Sequence, residues 1–127
     1  MSYTKPNTYE AAGTVTKYAV VKFDSAGKVV VATDPTEANV VGVAQRAASA
    51  GELLDVITHG ETRAIAGAAL ADFSATPLLS VTTSGKLKAS VATNFPIAQV
   101  RPNINQVSAV DGDEITVFFS GPSVVKA

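Results

Sequence analysis

Residues 14–32 read TVTKYAVVKFDSAGKVVVA, and this stretch decides the fold class. Its two ends, 14–23 and 28–32, are rich in β-branched and aromatic side chains, which fit the pleated, half-buried surface of a strand. The DSAG segment between them, at 24–27, has the composition of a turn. The stretch therefore predicts two antiparallel strands joined as a hairpin.

Short runs of the same kind follow along the chain, separated by turn signals such as TSG at 83–85 and DGD at 111–113. Many short strands with frequent turns indicate an all-β protein, either a small sandwich or a barrel-like domain. The alternation of side chains is the same in both, so it does not distinguish them. The sequence shows no exact internal repeat. The further predicted strands are 39–44, 53–58, 61–65, 77–82, 86–89, 96–101 and 114–120.

Two alanine-rich segments fit short helical turns. The first is QRAASAG at 45–51, where Gly51 can close either a helix or a turn in the left-handed conformation. The second is AGAALA at 66–71, which fits a short helix or a strand over a closely packed site. We therefore expect one or two short helical turns in an otherwise all-β domain.

Length and composition favour a single domain. The chain has 127 residues and is 46% hydrophobic, which supports one core, whereas each half alone would bury little. We predict an extended N-terminal arm at 1–10, one β domain at 11–121 and a C-terminal tail at 122–127. The arm is polar and contains Pro6. It fits a strand added to a partner's sheet edge as well as an unordered terminus.

The net charge and the N-terminal sequence limit the kinds of partner that the chain can bind. A net charge of −1 argues against nucleic acid and against an anionic membrane surface. We find neither the apolar core of a signal peptide nor an apolar run that could span a bilayer. The absence of cysteine excludes disulfides, thiolate metal sites and a cysteine nucleophile. We therefore expect a protein made and kept in a cytoplasm.

Few residues could carry catalysis. His59 is the only histidine, so an imidazole base or a catalytic triad would have to use it. Asp55 and Glu61 are near in sequence, but the G-x-S-x-G motif of many hydrolases is absent. A hydrolase that uses His59 is the third of our interpretations, and a solvated turn histidine is the simpler one. We expect no catalytic, cofactor-binding or metal-binding residues, and thus no enzyme.

Two further motifs resemble known sites only in part. The DGDE run at 111–114 is too short for a calcium loop and fits a β-turn. Lys86 and Lys88 could mark the modified lysine of a carrier module, but the flanking sequence of such modules is missing. Lysines on a strand also oppose edge-to-edge aggregation. A small β-barrel that binds a ligand or acts as a carrier is our alternative function, and it requires an apolar pocket.

An ordered set of motifs resembles a known family. It consists of VVGVA at 40–44, AASAGE at 47–52 and LDVITHG at 54–60. The set is similar to the small capsid decoration, or cement, proteins of tailed bacteriophages. The GTVTKYAVVKF block at 13–23 and the TSGK turn at 83–86 occupy comparable positions. Glycines and small apolar residues carry the resemblance, which covers roughly residues 11–90, so it specifies a fold more than a reaction.

The resemblance implies a structural protein of the virion, made in the host cytoplasm. Such proteins bind the outer surface of the mature capsid and stabilise it by clamping neighbouring major capsid proteins. The implied partners are the major capsid protein and further copies of this chain in a homotrimer. The arm often reaches the shell, so deletion of 2–10 is expected to abolish binding and leave the domain folded. On this analogy the capsid-contact residues are Tyr3, Lys5, Pro6, Asn7 and Tyr9.

Overall fold

Ten short strands make up the regular structure of the residues that the computed structural model describes, 6–33, 39–70, 72–74, 78–82, 84–90, 96–102 and 106–120. The tail at 122–127 lies outside them. The strands are β1 (Pro6–Glu10), β2 (Val20–Phe23), β3 (Val29–Val31), β4 (Val40–Ala44), β5 (Leu53–Ile57), β6 (Gly60–Ile65), β7 (Leu78–Val81), β8 (Leu87–Ala89), β9 (Ala98–Val100) and β10 (Glu114–Phe119).

The strands form two five-stranded antiparallel sheets. The strand order is β1-β5-β4-β2-β3 in the first sheet and β6-β10-β9-β7-β8 in the second. The prediction of an all-β, sandwich-like fold is confirmed. The described part of the chain contains no α-helix, and so no helix there that could cross a membrane.

The predicted hairpin at 14–32 is present as β2 and β3, with Val21 opposite Val31. Its turn forms because the Asp24 carboxylate accepts the backbone N–H groups of Ala26 and Lys28, at 2.8 and 3.0 Å. Gly27 follows with φ +80°, a left-handed conformation that favours glycine. The strand begins later than predicted, at Val20, because residues 14–19 do not pair in the sheet. Val15 instead makes an isolated bridge with Ala48, and Val15 and Ala19 are buried in the smaller hydrophobic cluster.

The helical turn expected at 45–51 is absent. Backbone N–H groups there donate to other segments instead of closing helical turns: Ala48 bonds to Val15 at 2.9 Å and Gly51 to Ala11 at 2.8 Å. The alanines favour a helix, but the backbone N–H groups of Ala48 and Gly51 donate to carbonyls of a different segment, residues 11–15. Gly51 has φ +89° and closes a turn.

The second alanine-rich segment, 66–71, also lacks a helix in its described part, 66–70. The N–H groups of Ala66 and Gly67 donate to Asp113 and Leu87, at 2.8 and 2.7 Å. Neither the helix nor the strand left open by the sequence is formed there: Ala66 and Leu70 make isolated bridges with a bend between them. The close packing at this segment is present. A Cβ on Gly67 would lie 2.6 Å from the Thr82 methyl group.

Residues 6–10, which we predicted as part of an arm outside the domain, form β1 of the first sheet. β1 pairs with β5 along its whole length, from Pro6 opposite Ile57 to Glu10 opposite Leu53. The polar composition of the segment reflects its exposure: Asn7 and Thr8, on opposite faces of the strand, are both exposed, and the Thr8 hydroxyl donates to Asp55 at 3.1 Å. The remainder of the predicted arm, 1–5, lies outside the described residues.

The second sheet repeats the topology of the first, although the sequence showed no exact repeat. Strands β1 to β5 correspond in order to β6 to β10, and the two strand orders are identical under this correspondence. In each sheet, a parallel bridge then links the residue after one edge strand to the opposite edge strand. The bridge joins Ala11 to Val29 in the first sheet and Ala66 to Leu87 in the second. We call residues 6–57 the first half and residues 60–119 the second half.

The repeat extends to the turns. In the hairpin turn of the second half, the Thr82 hydroxyl takes the place of the Asp24 carboxylate and accepts the N–H groups of Ser84 and Lys86. Gly85 has φ +77°, as Gly27 has +80°. The two hairpins thus have the same turn geometry.

Two hydrophobic clusters fill the molecule, and they occupy equivalent positions in the halves. The smaller lies within the first half. The larger fills the second half and also includes Val20, Ala32, Val40 and Val43 of the first half, so the halves share a core. Equivalent buried pairs include Ala11 and Ala66, Val15 and Leu70, Val21 and Leu79, Val29 and Leu87, Ala44 and Val100, Ala48 and Ala109, Leu54 and Ile115, and Val56 and Val117.

Candidate functional site

The predicted capsid-contact residues begin the chain, and the structure describes two of their side chains. Asn7 is exposed on β1, and its amide donates to the Thr58 hydroxyl at 3.2 Å. Tyr9 is half-buried against the smaller hydrophobic cluster. The backbone of Pro6 pairs in the sheet. The side chain of Pro6, together with Tyr3 and Lys5, lies outside the described residues.

A mixed aromatic and charged patch surrounds Tyr9 at one end of the first half. The rings of Tyr9 and Phe23 meet edge to face, with centroids 5.5 Å apart, and Phe23 is 39% exposed. Beside them, the Lys28 amine and the Glu10 carboxylate form an ion pair at 3.0 Å. The hydrogen bond to Glu10 raises the pKa of Lys28, so this amine stays charged throughout the neutral range. Apolar rings and fixed charges together can contact a protein surface.

His59 lies exposed in the turn between β5 and β6, as the sequence predicted. Its ring meets Phe118 edge to face, with centroids 5.2 Å apart. The Arg101 guanidinium also lies over the Phe118 ring, 5.2 Å from its centre. Asp55, one of the two carboxylates near His59 in sequence, accepts the Thr8 hydroxyl on the neighbouring strand. The histidine is therefore placed as a packing partner of an aromatic ring.

The DGDE run at 111–114 forms the predicted turn. The Asp113 carboxylate accepts the backbone N–H of Val110 at 3.0 Å, while Asp111 pairs with Lys86 at 3.6 Å. Glu114 pairs with Arg63 at 3.3 Å. The three carboxylates thus bind separate partners. Within the residues that the structure describes, no three His, Asp or Glu side chains cluster closely enough to hold a metal ion.

The alternative function requires an apolar pocket. The described residues form an open groove of about 320 Å³ on the first half. Its lining mixes small apolar and polar side chains: Thr14, Val15, Thr16, Ala47, Ala48, Ser49 and Glu52. Such a groove lacks the enclosed apolar walls and convergent polar groups of a ligand site.

The sequence analysis missed a set of exposed apolar side chains. They are Phe23 at 39%, Leu53 at 57%, Leu78 at 50%, Val107 at 62% and Val110 at 61% exposure. Each lies at or beside a strand end or turn. At such positions the alternation of side chains along a strand does not predict whether a residue is buried or exposed, because its burial depends on which neighbouring segment covers the sheet.

Comparison with known proteins relates the chain to a solved structure. No family model and no curated protein matches the sequence. The fold matches the N base of the head fiber protein gp8.5 of bacteriophage phi29 with a TM-score of 0.69. The match covers 97% of this chain and 99% of that one, at 16% sequence identity. The two chains therefore share a fold over their whole compared lengths.

Proposed function

We propose that this protein is a structural component of a phage virion that decorates the outer surface of the mature capsid. The single observation that carries the proposal is the shared fold with the base of a phage head fiber over nearly the whole chain. The resemblance of residues 11–90 to decoration proteins supports the same role from the sequence. In this role the chain is not an enzyme and needs no cofactor.

The proposed action is clamping of neighbouring major capsid proteins. A clamp must contact two neighbours at once and resist their separation, so it must behave as one rigid body. The core shared between the halves supports this, because Val20, Val40 and Val43 of the first half pack in the same cluster as Phe73 and Phe119 of the second. Many copies of a modest interface then add up to a large stabilisation of the shell.

The contact residues remain those implied by the resemblance: Tyr3, Lys5, Pro6, Asn7 and Tyr9. Of these, Asn7 is exposed, and Tyr9 shares its face of β1 because side chains two apart on a strand point the same way. No strand pairing that the structure describes involves residues 1–5, since β1 begins at Pro6. They therefore provide the cleanest way to separate shell binding from folding.

The test is the heat stability of DNA-filled mature capsids that lack this protein. Capsids are heated alone, with the full chain, and with a variant that lacks residues 2–5, and DNA release is followed with an intercalating dye. We expect the full chain to raise the release temperature and the truncated variant to raise it less. Saturated binding of the full chain with an unchanged release temperature would contradict clamping and leave only attachment.

A further inference from the structure

The two halves meet through an interface that the repeat makes easy to define. The hairpin turn of the second half rests on the first: the Val20 N–H donates to the Gly85 carbonyl at 2.9 Å. A Cβ on Gly85 would lie 2.6 Å from a Val31 methyl group, so the turn is closely packed. At the margin, the Gln45 amide donates to the Thr62 hydroxyl at 2.9 Å.

The first half carries the same hairpin turn, but there it is uncovered. A Cβ on Gly27, the equivalent of Gly85, would meet nothing within 4 Å. Phe23 is 39% exposed, whereas its equivalent Val81 is 1% exposed. Asn7, the equivalent of Thr62, is exposed as well. We call Asn7, Phe23 and residues 24–28 the turn surface.

One face of the first half is buried against the second half. The residues at the equivalent positions of the second half are exposed. Leu78 is 50% exposed, whereas its equivalent Val20 is fully buried. Gln99 and Arg101 are exposed and correspond to Val43 and Gln45 of the first half. We call Leu78, Gln99 and Arg101 the sheet surface.

We propose that the turn surface of one copy docks on the sheet surface of a second copy, head to tail, in the manner of the interface between the halves. Each surface is one side of an interface that this fold already makes. The chemistry also corresponds: Val81 and Val20, which are buried in the same cluster, become Phe23 and Leu78. The donor Gln45 and the acceptor Thr62 become Arg101 and the Asn7 amide oxygen.

The contact between copies is expected to be weaker than the contact between halves. The halves are joined covalently, which gives each an effective concentration in the millimolar range for the other. Separate copies reach such concentrations only when they are crowded, as on a repetitive surface. Because the two surfaces differ, the contact is heterologous and either closes a ring or continues as a filament. On this proposal Asn7 contacts a second copy, and Tyr3, Lys5, Pro6 and Tyr9 are left as the proposed contacts with the shell.

Sedimentation equilibrium of the free protein at up to about 1 mM tests the proposal. We expect the mass of the unmodified chain to rise above that of a monomer with concentration. Phe23→Glu and Leu78→Glu should each remain monomeric, because every head-to-tail contact needs both surfaces. A mixture of the two variants should form a one-to-one dimer and nothing larger, since each retains one intact surface. Val110→Glu, at an exposed apolar site outside both surfaces, should behave as the unmodified chain.

Three results would overturn the proposal: an unmodified chain that stays monomeric throughout, variants that do not complement each other, or an equal effect of Val110→Glu. Circular dichroism melts establish that each variant is folded. A second measurement avoids charged residues altogether, because the chain has no cysteine. Mixed Phe23→Cys and Leu78→Cys chains should give more disulfide-linked dimer than Val110→Cys mixed with either. These tests use no capsid, so their failure leaves the proposed function standing.

Discussion

Gly42 lies in the middle of β4, between β2 and β5, where the backbone of a neighbouring strand approaches closely. A Cβ at this position would collide with the Ile57 carbonyl and lie 2.7 Å from a Val56 methyl group. Gly13 is the matched control, because a Cβ there would meet nothing within 4 Å. Gly42 belongs to the VVGVA motif at 40–44, and the structure gives the reason for a glycine there.

Gly42→Ala should therefore lower the free energy of unfolding by about 2 kcal/mol or more, since the backbone must shift to relieve the overlap. Gly13→Ala should change it by less than about 0.5 kcal/mol. Urea denaturation of the two variants measures both values. Equal stabilities would show that β4 and β5 can separate without cost, contrary to the packing described above.

His59→Ala should leave shell binding unchanged, because the proposed function uses no imidazole chemistry. Loss of the edge-to-face contact with Phe118 should cost about 0.5–1.5 kcal/mol of stability at most. Binding to capsids and a thermal melt are measured on the same preparation. A variant that melts like the unmodified chain yet no longer binds would give His59 a direct role.

At the scale of elements, β1 changes the deletion experiment that the sequence suggested. Removal of residues 2–5 should leave the melting temperature unchanged, because no described strand pairing involves them. Removal of 2–10 should lower it strongly, because β5 loses its partner and the smaller cluster loses Tyr9. Thermal melts of both deletions test this. A fully stable protein without residues 2–10 would show that β1 is dispensable, as expected for an arm outside the domain.

The strands were predictable wherever their signals are local. β2 and β3 were found because β-branched residues flank a turn that ends in glycine, and β10 because a run of β-branched and aromatic residues follows the DGD turn. β1 was missed as a strand because its partner, β5, is far away in sequence and its exposed face is polar. The alanines at 45–51 were misleading because helical propensity is a weak preference that tertiary hydrogen bonds override.

The candidate site was predictable only by analogy. Asn7 and Tyr9 came from the family resemblance, and nothing in their local sequence indicates contact with a partner. Phe23 and Leu78 could not be assigned to a surface at all, because their exposure depends on which half covers which face. Their equivalents Val81 and Val20 have similar side chains and are buried.

At the scale of the whole molecule, the repeat explains most of the architecture. Equivalent core positions share burial and the equivalent hairpin turns share geometry, but the residues often differ, as Val21 and Leu79 or Leu54 and Ile115 show. The Gly-Lys step that ends both hairpin turns, at 27–28 and 85–86, is its visible trace in the sequence. A hydrophobic core accepts many apolar side chains of similar size, so a duplicated fold persists after the sequences diverge.

The central claim, that this chain decorates a mature phage capsid, is tested most directly by co-sedimentation of the purified protein with expanded, undecorated capsids of its own phage. The account predicts saturable binding at a stoichiometry commensurate with the symmetry of the shell. It also predicts that the Val110→Glu variant binds as well as the unmodified chain, as a check that surface charge alone does not decide attachment. Absence of binding to expanded capsids, with a folded protein at concentrations that saturate comparable interfaces, would contradict the claim.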